Sequence, residues 1–181
     1  MANLKEIRNR ISSVSSTMQI TSAMKMVSAA KLKKAQDAIT AMRPYSDKLT
    51  EILQSLSATM EGDAGSKFAE QREVNKALVV AITSNRGLAG AFNSNIIKEL
   101  IRLNQNELKG VAVSYMTIGK KANDFVSKAS PVHSNKSDLF ENISYDNVAV
   151  IAEELMELFI TEEFDKIVIV YNSFKITFCS I

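Results

Sequence analysis

The chain has 181 residues, of which 46% are hydrophobic and 23% are charged, and its formal net charge at neutral pH is +2. This composition suits one folded domain plus one extended element, and it excludes a disordered or collagen-like chain. Because Cys179 is the single cysteine, the sequence also excludes a disulfide framework within one chain and a four-cysteine zinc site.

The N-terminus carries charges every few residues and lacks the apolar stretch of a secretory signal or a membrane span. We therefore expect no direct membrane insertion. Charge is distributed unevenly, since residues 1–56 hold nine Lys or Arg and four acids. Between Ile7 and Gln36 there are six basic residues and no acid, which favours a partner with an acidic surface.

Residues 1–58 are predicted to form one long helix. Apolar or small residues alternate three and four apart, which is the seam spacing of a coiled coil, at Leu4, Ile7, Ile11, Val14, Met18 and Thr21. The pattern continues to Leu56 with one eleven-residue step that relaxes supercoiling. No glycine interrupts it, and Pro44 predicts a kink or a bend.

A helix of about fifty residues would be roughly 75 Å long, too long for a compact domain of this size to cover. The seam therefore predicts burial against another chain, or against sequence not present here. A helical hairpin arm is the simplest alternative, although no second heptad pattern follows. A nucleic-acid-binding arm is another, but its only dense basic cluster, Lys31, Lys33 and Lys34, lacks aromatic stacking residues.

Gly62 and Gly65 interrupt the helical pattern, so residues 59–75 are predicted to be a linker. Residues 76–181 then alternate buried strands, at 77–83, 111–118 and 166–171, with helices at 92–103, around 122–126 and around 148–159. The polar stretch with Pro131, His133 and Ser137 is predicted to be a loop. The βαβαβ order indicates an α/β fold with a Rossmann-like, mostly parallel sheet.

The turn after the first strand contains Arg86, Gly87 and Gly90. Its G-x-x-G spacing lacks the third glycine of a dinucleotide-binding turn and the G-K-[ST] ending of an ATP loop. A structural strand-to-helix turn is therefore favoured over a phosphate site. A small nucleotide-binding α/β protein with a helical dimerisation arm stays the alternative function.

Other candidate chemistry is weak. His133 is the only histidine and has no cysteine or second imidazole near it in sequence, so an exposed loop residue is expected. The acid pairs Glu153/Glu154 and Glu162/Glu163 are interpreted as solvated surface. We predict no catalytic residue, no metal site and no cofactor.

Three stretches resemble the gamma subunits of the rotary F-type ATP synthase. The longest, Ile20-Thr-Ser-Ala-Met-Lys-Met-Val-Ser-Ala-Ala-Lys-Leu-Lys-Lys-Ala-Gln36, is similar to their N-terminal helix, together with Lys5-Glu-Ile-Arg8 and Arg43-Pro-Tyr45. Thr83-Ser-Asn-Arg-Gly-Leu-Ala-Gly-Ala-Phe-Asn-Ser-Asn95 resembles their strand-to-helix turn, and Tyr171-Asn-Ser-Phe-Lys175 resembles a later strand. The likeness covers essentially the whole chain.

The resemblance implies a non-catalytic central-stalk rotor that couples proton-driven rotation to the catalytic sites of the beta subunits. Its first helix would be half of an antiparallel coiled coil inside a ring of alpha and beta subunits. Met24, Lys25, Lys31, Lys33 and Lys34 would meet acidic regions of the beta subunits. The α/β domain would contact the epsilon subunit and the membrane c-ring, at the cytoplasmic face of a bacterial plasma membrane.

The sequence departs from the family in two ways. Asn85 stands where an aspartate is common, and Ala89 and Ala91 stand where Cys or Gly often occurs. Family members also continue past the position of Ile181 into a C-terminal helix. We therefore expect a shortened gamma subunit whose uncovered helix seam promotes self-association.

Overall fold

The computed structural model describes residues 3–59, 68 and 72–175. Its contacts divide the chain into two compact units, residues 1–64 and 65–181. Most of the predicted linker, including Gly62 and Gly65, lies outside the described residues, as does Cys179.

The first unit is built on one helix, α1, which extends over Leu4–Thr59. Its 56 residues give a length of about 84 Å at about 1.5 Å per residue. The helix continues through Pro44, although proline has no N–H to donate to the carbonyl of Thr40. The prediction of a long N-terminal helix is confirmed.

The predicted seam of α1 is largely in solvent. Leu4 is 71% exposed, Ile11 is 64% exposed and Met18 is 67% exposed. In water, helices derive most of their stability from burying an apolar face rather than from intrinsic propensity. The described part of this unit leaves that face of α1 uncovered.

The second unit is an α/β sheet domain. Its elements are β1 Lys76–Ile82, α2 Phe92–Gln105, β2 Ala112–Ile118, α3 Lys120–Val126, β3 Val132–Asn135, α4 Tyr145–Ile160 and β4 Lys166–Val170, with a 3₁₀ turn at Ser137–Glu141 before α4. All pairings are parallel, in the order β3-β2-β1-β4. The predicted α/β fold with a parallel sheet is confirmed.

Strand β1 lies in the middle of the sheet and is buried on both faces. The side chain of Val79 lies on the face of the sheet that α2 and α3 cover. Leu78 and Val80 face the other way and pack with Ile151 of α4. Two covered faces explain why this strand is a continuous apolar run rather than an alternating one.

Strand β3 corrects the prediction of a polar loop around Pro131. The N–H of Tyr115 donates to the carbonyl of Pro131 over 3.1 Å, and the N–H of Lys136 donates to the carbonyl of Thr117 over 2.8 Å. These two bonds join β2 to the residues directly before and after β3. Pairing with a neighbour, rather than any periodicity of its own, makes this segment a strand.

Two side chains near β3 make contacts that the sequence did not predict, although His133 is exposed as expected. His133 lies on the strand and meets the ring of Phe164 edge-on, with ring centroids 5.5 Å apart. Its Nδ1 is 3.8 Å from a carboxylate oxygen of Glu163. Glu154, interpreted as solvated surface, accepts from Lys136 Nζ at 2.8 Å and is only 29% exposed. These contacts connect the β3 region to α4 and to the turn before β4.

Strand β4 is less buried than predicted. It ends at Val170 and forms one border of the sheet. Ile169 is 53% exposed, and Tyr171, just beyond the strand, is 62% exposed. Among the described residues β4 has a neighbouring strand on one side only, which explains the difference.

Asp165 makes the stability of the sheet domain depend on pH. Its Oδ2 accepts from the N–H of Lys76 at 2.8 Å and of Asn75 at 2.9 Å, and these bonds lower the pKa of the carboxyl below its ordinary value of 3.8. A lowered pKa in the folded state means that the stabilisation is present above the unfolded pKa. It is lost as the pH falls through the folded pKa.

We therefore expect the urea midpoint of the α/β unit to fall between about pH 5 and pH 2, and to fall less in Asp165→Asn, which cannot titrate there. The measurement is a set of urea unfolding curves for both proteins across that range. Equal losses of stability in the two proteins would show that Asp165 is not a source of this pH dependence.

Candidate functional site

The basic segment of α1 is exposed on all sides of the helix. Met24, Lys25, Lys31, Lys33 and Lys34 all lie in exposed positions within three turns of α1. At about 100° per residue, Met24 and Lys31 share a face, whereas Lys33 lies on the opposite one. The structure thus places Met24 and Lys31 on one face of α1, about two turns apart, and distributes the other positive charges around the helix.

The segment from Ile7 to Gln36 contains no acid. The first acid after it is Asp37, four residues from Lys33 and three from Lys34, so a single carboxylate lies within reach of two of these lysines along the helix. An ion pair on α1, between Lys48 and Glu51 at 2.8 Å, lies more than three turns further along. The segment is therefore a positively charged surface.

The turn after β1 connects the strand end to α2 through Ser84 and Asn93. The N–H of Ser84 donates to Asn93 Oδ1 over 3.0 Å, and Asn93 Nδ2 donates to Ser84 Oγ over 2.9 Å. Ser84 Oγ also donates to the carbonyl of Arg86 over 2.6 Å. Of the three residues predicted to shape this turn, Arg86 contributes this main-chain acceptor.

The two glycines of the turn have different backbone demands. Gly90 has a φ of +56°, a left-handed conformation that favours glycine, and the exposed Leu88 also has a positive φ, of 61°. A Cβ on Gly87 would meet only Lys121 Cε, at 3.8 Å, which is ordinary contact. Gly87 is therefore not required by local geometry.

Asn85 joins this turn to the next strand-to-helix junction. Its Oδ1 accepts from the N–H of Lys120 at 2.9 Å, and its Nδ2 donates to the carbonyl of Ser137 at 3.0 Å. An aspartate could make the first bond but not the second while ionised. Asn85 is thus a neutral bridge between two segments.

The N–H groups in the first turn of α3 already have acceptors within the protein. Thr83 Oγ1 accepts from the N–H of Ala122 at 2.9 Å, and the carbonyl of Ser84 accepts from the N–H of Lys121 at 3.3 Å. With Asn85 on Lys120, three successive donors have protein acceptors. A phosphate at a helix N-terminus needs such N–H groups to be available.

Gly119, between β2 and α3, is the residue that sequence reasoning missed. Its φ is +119°, and a Cβ there would overlap the carbonyl oxygen of Thr83 and lie 2.7 Å from Thr83 Oγ1. Only glycine allows the two junctions to approach this closely. The available signal was a glycine between an apolar run and a helical one.

The point where the strand order reverses, between β1 and β4, is where parallel α/β sheets commonly bind ligands. Here the side chain of Asn172, two residues after β4, crosses toward α2. Its Nδ2 donates to the carbonyl of Phe92 over 2.8 Å. The crevice is therefore bridged by the chain itself.

Within residues 3–59, 68 and 72–175, no group of three or more His, Cys, Asp or Glu side chains is placed to hold a metal ion. In the same part of the chain, no helix combines the length and the apolar character needed to cross a lipid bilayer.

Comparison with known proteins gives a consistent result. A family described as ATP synthase matches residues 3–179. The ATP synthase gamma chains of Christiangramia forsetii and Flavobacterium psychrophilum are 61% and 63% identical over 175 residues, and that of Geobacter sp. is 46% identical over 177. Each match covers 97% of this chain and 61% of the relative, so the chain spans about three fifths of their length.

Proposed function

The chain belongs to the ATP synthase gamma chain family, and from this premise we propose that it supplies the first helix and the sheet domain of a central-stalk rotor. The rotor is non-catalytic. It couples proton-driven rotation to conformational changes at the catalytic sites of the beta subunits. The observation that carries the proposal is α1, a 56-residue helix with an uncovered apolar seam and an acid-free basic segment.

The seam and the basic segment fit two different partners. Apolar side chains such as Ile11 and Met18 suit a second helix packed along α1, as in an antiparallel coiled coil. The positive charge that surrounds Met24 and Lys31 suits acidic surfaces arranged around the shaft. Charges on all sides of the helix can face every surrounding beta subunit at the same time, whereas a charge on one face would meet them one at a time as the helix rotates.

The sheet domain would be the foot of this rotor, in contact with the epsilon subunit and the membrane c-ring. It would hold the chain at the cytoplasmic face of a bacterial plasma membrane through the complex. In this role Arg86, Gly87 and Gly90 form a structural turn and bind no nucleotide. The hydrogen bonds between Ser84 and Asn93, which join this turn to α2, and the Asn172 bridge support that assignment over the nucleotide-binding alternative.

Reconstitution tests the proposal. The chain is mixed with alpha and beta subunits, alongside a version extended by the remaining sequence of the Flavobacterium psychrophilum gamma chain. Native mass spectrometry should show the extended version in a particle with three alpha and three beta subunits. Failure of both versions to assemble would reject the rotor assignment, and micromolar binding of ATP or NAD to the chain in calorimetry would favour the alternative.

In the absence of other subunits, we expect the uncovered seam of α1 to associate with the seam of another copy. Burial of Leu4, Ile11 and Met18 in such a pair would cover the seam.

A further inference from the structure

A cleft lies between α2 and α3, near the C-terminal ends of both helices. Its volume is about 160 Å³, and β2 contributes Tyr115 to its floor. One wall contains Leu100 and Ile101 of α2, and the other contains Phe125 and Val126 of α3. A buried cavity of roughly 150 Å³ is large enough to hold one benzene ring. The cleft therefore has the size of a single aromatic ring.

The hydroxyl of Tyr115 is a polar group without a partner at this floor. The residue is 4% exposed, and among the described residues no group is placed to hydrogen-bond its hydroxyl. The hydroxyl is not fully enclosed either, so its accessible surface faces the cleft that the residue lines. Burial raises the pKa of Tyr115 above its ordinary value of 10.0, which keeps the group protonated at neutral pH. Because a buried tyrosine O–H usually has a hydrogen-bond partner, the cleft is where an acceptor for it would lie.

The remainder of the lining carries no charge. Its polar residues are Asn104, Gln105 and Ser130, and within residues 72–175 no Lys, Arg, Asp or Glu lines the cleft. A charged ligand would lose hydration there without gaining an opposite charge. Apolar walls with one hydroxyl at the floor instead favour a neutral ring that carries a single oxygen.

We propose that this cleft binds a small neutral aromatic molecule of the phenol class, whose oxygen accepts a hydrogen bond from Tyr115. The ring would lie between Leu100 and Phe125 and would cover the part of Phe125 that is now 37% exposed. Since the cleft is lined by neither α1 nor the turn at Arg86, this binding site goes beyond the proposed rotor function.

Titration of the isotopically labelled whole chain with phenol, followed by NMR, tests the site. Saturable shifts are expected in the amides of residues 100–105, 115 and 125–130. Half-saturation is expected at about 1 mM, because a ligand of seven non-hydrogen atoms has limited binding energy. Benzoate, which has the same ring and a negative charge, should bind about tenfold more weakly. Shifts that do not saturate, or that are confined to α1, would overturn the proposal.

Matched variants locate the binding. Tyr115→Phe keeps the ring and removes the hydroxyl, so it should weaken phenol binding about tenfold and leave benzene binding unchanged. Ala129→Phe fills the cleft from an exposed position and should abolish the binding of both molecules. Ala152→Phe adds the same ring at an exposed position on α4 that does not line the cleft, and should change neither.

Protection of β1 amides from hydrogen exchange shows whether each variant folds. Equal phenol affinity in Tyr115→Phe and the unaltered chain would reject the hydrogen bond on which the proposal depends. Undiminished binding in a folded Ala129→Phe protein would place the phenol somewhere other than this cleft.

Discussion

Replacing Gly119 with alanine is expected to destabilise the α/β unit by about 3–5 kcal/mol. The φ of +119° is unfavourable for any residue with a Cβ, and the added carbon would lie 2.7 Å from both the carbonyl carbon and Oγ1 of Thr83. These atoms cannot move away freely. Thr83 is buried, its N–H donates to the carbonyl of Ile118, and its Oγ1 holds the N–H of Ala122.

Gly87→Ala is the matched control for Gly119→Ala, because its Cβ would make only an ordinary contact at 3.8 Å. We expect a change within about 0.5 kcal/mol for it. Native-state hydrogen exchange of β1 amides is the suitable measurement, since it reports on the sheet and not on α1. If both variants retained the protection of the unaltered chain, the close approach of the two junctions would not matter to stability.

Reversing three charges on α1, in the triple variant Lys31→Glu, Lys33→Glu and Lys34→Glu, is expected to weaken assembly with alpha and beta subunits about a hundredfold. Each reversal changes an attraction of about 0.5 kcal/mol into a repulsion of about the same size, and the sum over three sites, about 3 kcal/mol, corresponds to that factor. The helix itself should persist, since lysine and glutamate have similar helix propensities. The measurement is the subunit concentration needed for half-maximal assembly in the extended version.

A control with the same net charge carries Lys98→Glu, Lys109→Glu and Lys128→Glu, three exposed positions in the sheet unit. It should assemble normally with alpha and beta subunits. The two triple variants should differ less in the subunit concentration needed for half-maximal assembly when the salt concentration is high, because the proposed contacts are electrostatic. An equal loss in both would mean that net charge, rather than the basic segment of α1, governs assembly.

Most of the fold followed from periodicity. The heptad pattern predicted α1, and the apolar run at Ala77 predicted β1, because both features are local and repeat over several residues. Strand β3 could not be predicted in this way. It has four residues and one apolar side chain, Val132, so its conformation depends on hydrogen bonds with the neighbouring strand.

The candidate site was also predictable only in part. The basic segment of α1 was visible because it is a property of composition along one helix. The importance of Gly119 was not, since it arises from the approach of Thr83, 36 residues earlier in the chain. Sequence reasoning selected Gly87 and Gly90 by their spacing. Gly87, however, does not have a positive φ, and there is room for a Cβ at this position. A glycine's neighbours in space, which spacing does not reveal, decide whether a side chain fits.

The sheet order also has a consequence for how the domain folds. Strand β1 pairs with β2 through Ala77 and Val113, 36 residues apart, and with β4 through Ala77 and Lys166, 89 residues apart. The shorter loop closes with the smaller entropy loss, so the β1–β2 pair should form first and β4 should join last. During synthesis from the N-terminus, β4 also leaves the ribosome last. Until then Leu78 and Val80 lack their neighbours on α4 and β4, and this interval is when the nascent domain is most prone to aggregate.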